Sequence, residues 1–125
     1  MSREDLARAF HYAVYENVQM IPYGHVTSYG HIAKLIYKPR NSRQVGQALK
    51  FLPQGETRLD YPYNLNNVPW WRVISSSGTI SNRDHGSMIR QVELLRAEGV
   101  QVINDSKIDL VTFGWFPETE FDEYD

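Results

Sequence analysis

The sequence predicts a mostly α-helical single domain with a short C-terminal β-hairpin, built around a winged-helix-like helix-turn-helix. Three observations predict it. The chain has 125 residues, the size of one domain, and 42% of them are hydrophobic, enough for one core. Apolar residues recur at helical spacing in four segments, two of them joined by a tight turn. Near the end, Val100–Ile103 and Ile108–Phe113 flank Asn104-Asp105-Ser106-Lys107, a turn between two apolar runs.

The first helix is predicted from about Arg3 to Gln19. Leu6, Phe10, Ala13 and Val14 lie on one face, and Ser2 with Asp5 has near-capping-box spacing. Ile21-Pro22-Tyr23-Gly24 ends it, because Pro and Gly both break helices. Thr27 or Ser28 caps a second helix, Tyr29–Ile36, and Tyr37-Lys38-Pro39-Arg40 is a turn. Asn41 or Ser42 then caps a third helix, Arg43–Phe51, which buries Val45, Ala48, Leu49 and Leu52. Gln54–Asn67 is polar and reads as a surface loop. Val68–Ile74 is a short apolar stretch, followed by the turn Ser75-Ser76-Ser77-Gly78 and a second loop, Ser81–Ser87. Met88, Ile89, Val92, Leu94 and Leu95 mark a fourth helix, and Gly99 stands where a helix-ending glycine belongs. The acidic stretch 117–125 is expected to fray as a tail beyond a folded domain of residues 1–116.

Composition excludes several chemistries. The chain has no cysteine, which removes disulfides, thiolate metal sites and cysteine nucleophiles together. A reducing compartment is the default, and the charged N-terminus, lacking an apolar core, predicts no signal peptide. No apolar run approaches the ~20 residues a membrane span needs. The four histidines fall at no metal-ligand spacing, and no phosphate-cradling glycine motif occurs, so no metal or cofactor is expected. Net charge is −2, but it is unevenly placed. Residues 21–90 carry nine basic and three acidic side chains, whereas residues 101–125 carry seven acids and one Lys. A basic middle fits a polyanion partner, although a solvated mixed surface would read the same.

Pro69-Trp70-Trp71-Arg72-Val73 is the most distinctive segment. Paired tryptophans are often plain core. In an extended segment, however, neighbouring side chains point to opposite faces, so one Trp can enter the core while the other lines a pocket. A flat indole with Arg72 and Arg83 nearby suits a nucleobase.

Four motifs, in order, carry a resemblance. Ile21–Gly30 resembles the entry to the C-terminal domain of O6-alkylguanine-DNA alkyltransferases, and Ser42-Arg43-Gln44-Val45-Gly46-Gln47-Ala48 resembles their recognition helix. Val68–Ile74 is similar to their active-site Pro-Cys-His-Arg-Val, and Leu94–Gly99 to their closing helix. The acceptor cysteine position is Trp70 and the position of the activating histidine is Trp71, while Glu98 remains at the third triad position. The chain therefore resembles the alkyltransferase-like proteins, which bind O6-alkylguanine without repairing it and pass it to nucleotide excision repair. The link Gln54–Asn67 is longer than that family's usual one.

The resemblance implies a single alkyltransferase C-terminal-like domain, monomeric, that binds double-stranded DNA containing O6-alkylguanine and recruits nucleotide excision repair proteins. It implies no membrane partner and no cofactor, with a nuclear location in a eukaryote and a cytoplasmic one in a bacterium. Tyr29 is expected to crowd the phosphate of the target nucleotide, and Arg43 to fill the vacated stack. A cation at a helix N-terminus is disfavoured without an anionic partner, which fits that role. Asn41, Ser42, Gln44, Gly46 and Gln47 would face the minor groove, Lys50 would contact phosphate, and Ser76 would donate to a phosphate or to the flipped nucleotide. Trp70 would floor a lesion pocket completed by Tyr29, Val68, Pro69, Val73, Arg83 and Asp84, with Arg83 over the flipped guanine. Arg72 would brace the loop. Two rivals stay open: a small hydrolase or transferase using Ser or His in the same pocket, and a protein-interaction module using the tryptophans and acidic tail without DNA. A Ser28, His25 and Asp84 triad can be assembled on paper, but no nucleophile-elbow context supports it.

Overall fold

In the computed structural model, residues 1–54, 61–80 and 85–121 are described. The helices form where the periodicity places them. Helix α1, Arg3–Val18, opens with a full capping box: Ser2 Oγ accepts from Asp5 N at 3.0 Å, and the Asp5 carboxylate accepts from Ser2 N at 3.3 Å. Strand β1, Thr27–Ser28, leads directly into α2, Tyr29–Leu35, whose cap is Ser28, accepting from His31 N. Helix α3, Ser42–Lys50, follows a turn in which Tyr37 takes a positive φ of 62°. Its N-cap, Asn41, makes no side-chain capping bond, so the cap is a backbone position only.

A 3₁₀ turn, Trp70–Arg72, precedes strand β2, Val73–Ile74, which pairs in parallel with β1 (Thr27 with Val73, Ser28 with Ile74). Helix α4, His85–Ala97, ends as predicted at Gly99, whose φ is +87°. Val100 N donates to Leu95 O and Gly99 N to Arg96 O, the Schellman arrangement. Glu98 is thereby fixed on the last residue before the chain reverses.

Two hydrophobic clusters meet at this small sheet. The first gathers Val14, Tyr15 and Val18 of α1, Ile32 and Ala33 of α2, and Val45, Ala48 and Leu49 of α3, with Val68 and Val73. The second gathers Val26, Ile74, Ile80, Val92, Leu95, Val100, Val102 and Ile108. Val73 and Ile74 enter different clusters because successive strand residues point to opposite faces. The two-residue sheet is thus the seam of the molecule.

The C-terminal hairpin is realised only at its turn. Asn104 and Asp105 take positive φ, and Ile103 and Lys107 form a single antiparallel bridge. The expected second arm is instead helix α5, Leu110–Phe113, because Asp109 caps it through Val111 N and Thr112 Oγ1. The segment after Pro117 also differs from a frayed tail as far as it is described. Pro117 O accepts from His31 Nε2 at 2.7 Å, and Phe121 packs edge-on against Tyr37. Among the described residues no helix is long and apolar enough to cross a membrane, and no group of three His, Cys, Asp or Glu could hold a metal.

Candidate lesion-binding site

The Trp pair is built by proline. Pro69 has φ −75° and ψ 67°, and Trp70 N donates to Val68 O at 2.7 Å, an inverse γ-turn. The tight turn makes Trp70–Arg72 a 3₁₀ turn rather than the extended segment expected. The separation of the two indoles survives by another route. Trp70 packs on the first cluster and Trp71 on the second, with the rings edge-to-face at 5.9 Å and 86°.

Behind Trp71 lies a closed polar network. Glu98 Oε2 accepts from Trp71 Nε1 at 2.7 Å and from Arg72 Nη2 at 2.7 Å, while Glu98 Oε1 accepts from Gly24 N and Arg72 Nε at 2.9 Å each. Arg72 Nη1 donates to Ile21 O at 2.8 Å, and its guanidinium lies against the Tyr23 and Trp71 rings, 5.6 and 5.7 Å from their centroids. The Arg72 and Glu98 side chains are only 13% and 6% exposed. Burial pushes the Glu98 carboxyl up, but the hydrogen bonds from Arg72, Gly24 and Trp71, with the Arg72 charge, outweigh it and hold the group below its ordinary value. Arg72 therefore braces the loop, as the sequence implied.

On the other side, Trp70 lines an open cavity of about 570 Å³ with Leu49, Lys50, Leu52, Gln54, Leu65 and Ser87. Of the expected pocket residues that are described, Trp70 lines this cavity and Tyr29, Val68, Pro69 and Val73 do not. Val68 and Val73 are fully buried behind it, and Pro69 is half-buried. Trp70 O accepts from Val73 N, and Val73 O accepts from Gln91 Nε2 at 3.2 Å, which fixes the turn that carries Trp70. Tyr29 packs on the first cluster, and a Cβ at Gly46 would lie 3.7 Å from its ring. A side chain at Gly46 would therefore make an ordinary contact with Tyr29, and packing between α2 and α3 does not require glycine there. Arg83 and Asp84 lie outside the described residues.

On α3, Ser42, Arg43, Gln44, Gln47 and Lys50 are exposed. Arg43, Gln47 and Lys50 follow i, i+4, i+7 spacing and share a face. Asn41, Gln44 and Gln47 line a separate groove of about 240 Å³ with Phe10, His11 and Phe51. Ser76 is exposed at the tip of its turn. The paper triad disperses: Ser28 Oγ is the α2 cap, His25 Nδ1 donates to Tyr23 O at 3.3 Å, and Asp84 is among the residues not described.

Four contributors were not read from the sequence. Gln91, buried on α4, donates to both Trp71 O and Val73 O and ties the loop to the helix. Tyr61 and Tyr63 stack edge-on against Tyr12, with Tyr63 also donating to Glu16, so the polar link is docked on α1. Leu65 is thereby held against Trp70's cavity. The signal was the alternation of Tyr61, Tyr63 and Leu65 within an otherwise polar stretch.

Comparison with known proteins bears on this geometry. The family described as 6-O-methylguanine DNA methyltransferase, DNA binding domain, matches residues 9–100. The "DNA base-flipping protein" of Escherichia coli (strain K12) is 42% identical over 115 residues, covering 92% of this chain and 78% of that protein. "Alkyltransferase-like protein 1" of Schizosaccharomyces pombe is 42% identical over 113 residues, covering 86% of this chain and 95% of that one. The crystal structure of S. pombe Atl1 in complex with damaged DNA containing O6-carboxymethylguanine matches with a TM-score of 0.75 at 41% identity, over 88% of this chain and 97% of that one.

Proposed function

The chain belongs to the family of 6-O-methylguanine DNA methyltransferase DNA-binding domains, and from that premise we propose that it binds duplex DNA carrying O6-alkylguanine, flips the modified nucleotide against Trp70, and holds it without chemistry. One observation carries the reading: an indole with an open cavity in front of it stands where the resemblance places a nucleophile, in a chain without cysteine. The indole nitrogen's lone pair belongs to its π-system, so it is a poor nucleophile near neutral pH. Its neighbour Trp71 cannot act as a base, since its N–H is a donor held by Glu98.

The other roles follow physically. The exposed face of α3 enters the minor groove, which distinguishes sequences poorly and so suits a scanner of damage. Flipping costs a few kcal/mol and is easiest at a damaged pair. Arg43 fills the gap, Tyr29 crowds the phosphate, and Lys50 and Ser76 contact the backbone. Arg83, by resemblance, lies over the extruded guanine. The bound monomer then presents the lesion to nucleotide excision repair, in the nucleus of a eukaryote or the cytoplasm of a bacterium. The relatives named for base flipping and crystallised on damaged DNA support this reading.

Gel shifts on matched duplexes with and without O6-methylguanine test it, alongside incubation with radiolabelled methylated DNA. Tighter binding to the lesion duplex with no label on the protein is the expected result. Equal binding to both duplexes, or stoichiometric labelling, would overturn it.

A further inference from the structure

A second cavity, of about 390 Å³, adjoins the first. It shares Gln54, Leu65 and Trp70 with it, and extends past the indole to Trp71, Leu94 and Arg90. We propose that this second cavity receives the O6 substituent of the flipped base, and that Arg90 makes it selective for substituents ending in a carboxylate. The inference rests on the reading that the base occupies the first cavity.

The three shared residues make the two spaces neighbours across Trp70. A group projecting from a base seated on that indole has this cavity beside it. Leu65, Leu94 and the Trp rings match the carbon part of such a group. Arg90 and Leu94 are i, i+4 on α4, so the arginine stem runs along the same wall and brings its head to the rim. Arg90 is also uncommitted in a way Arg72 is not. Its nearest described carboxylate, Glu93 Oε2, is 3.9 Å away, and both side chains are more than 60% exposed. Such a pair is weak and exchangeable. A guanidinium fork can instead grip a carboxylate with two parallel bonds. Arg72, the other arginine near Trp71, has its donors on Glu98 and Ile21.

The test measures affinity, at fixed salt, for four duplexes alike but for one base: guanine, O6-methylguanine, O6-carboxymethylguanine and its uncharged amide, O6-carbamoylmethylguanine. Wild type should prefer the carboxymethyl duplex over the amide by about two- to five-fold, the range of a partly exposed ion pair. Arg90→Gln should abolish that preference, and Arg90→Glu should reverse it. Both variants should bind the methyl duplex like wild type, which also reports that they are folded. No carboxylate preference in wild type, or its survival in Arg90→Gln, overturns the proposal. Equal weakening on all four duplexes overturns it too, by making Arg90 a phosphate contact. If wild type fails to distinguish any modified duplex from guanine, the proposed function itself falls, and that result is separable from the others.

Discussion

The network behind Trp71 and the exposed face of α3 hold similar side chains in opposite states. Arg72 and Glu98 give their hydrogen bonds to each other and to the backbone around them. On α3, Arg43 and Lys50 are exposed, and among the described residues neither has an ion-pair or hydrogen-bond partner for its charge. The difference separates two uses of polar chemistry. A network satisfied by its own fold holds the fold. Two exposed cations on one helix face, without a partner among the described residues, leave that face open to an anion. Glu98 has gone to the first use, while α3 keeps the second.

The largest test of that division is Glu98→Ala. It leaves a buried guanidinium and an indole N–H unmatched, and should cost about 3–5 kcal/mol of unfolding free energy in urea titration. A loss under about 1 kcal/mol would mean the network is ornamental. Its pH dependence sharpens the point. The Glu98 pKa is held below 4.5 in the folded protein, so its stabilisation is complete above the unfolded value and is lost as pH falls through the folded one. The stability gap between wild type and Glu98→Gln should hold steady from about pH 7 to pH 5 and narrow below about pH 4.

Trp70→Ala comes next. It should weaken lesion binding by about 1–3 kcal/mol, the value of one stacked base, and affect undamaged duplex far less. Binding curves on the two DNAs would show it, and an equal loss on both would remove Trp70 from recognition. Tyr15→Phe breaks the buried bond to Ala48 O at 2.6 Å that ties α1 to α3. Urea unfolding should register about 0.5–1.5 kcal/mol. The smallest change in stability belongs to Lys50→Ala. It should move unfolding by no more than about 0.5 kcal/mol, yet lower the slope of log affinity against log salt by about one. If Lys50→Ala destabilises the fold instead, α3 is not the unmatched surface described here.

The helices were legible because each combines an amphipathic face with a local stop or start, such as Ser2 with Asp5, Ser28, or Gly99. Those signals act within a few residues. What the sequence concealed was decided at a distance. The second arm of the predicted hairpin is a helix because Asp109 offers a cap, which competes successfully over so short a run. Tyr61 and Tyr63 looked like loop residues because their partners on α1 lie far back in the chain. Within the site, Trp70 and the bracing role of Arg72 were legible. The cavity walls Leu49, Leu52 and Leu65 were not, because a wall is defined by what faces it.

The seam formed by Thr27–Ser28 and Val73–Ile74 has a consequence for how the molecule can change over time. It joins positions on either side of the long polar link, so the loop that it closes contains α2, α3 and the link together. The entropy of closing such a loop grows only logarithmically, at about 0.6 kcal/mol for each doubling of its length. Residues can therefore be added to or lost from the link with little effect on the seam that mounts Trp70. The cost of rebuilding the link then lies in the packing of Tyr61, Tyr63 and Leu65 on α1 and the first cluster, and little of it lies in loop length. Insertions that spare those three residues are a route by which the link can change length without unfolding the protein.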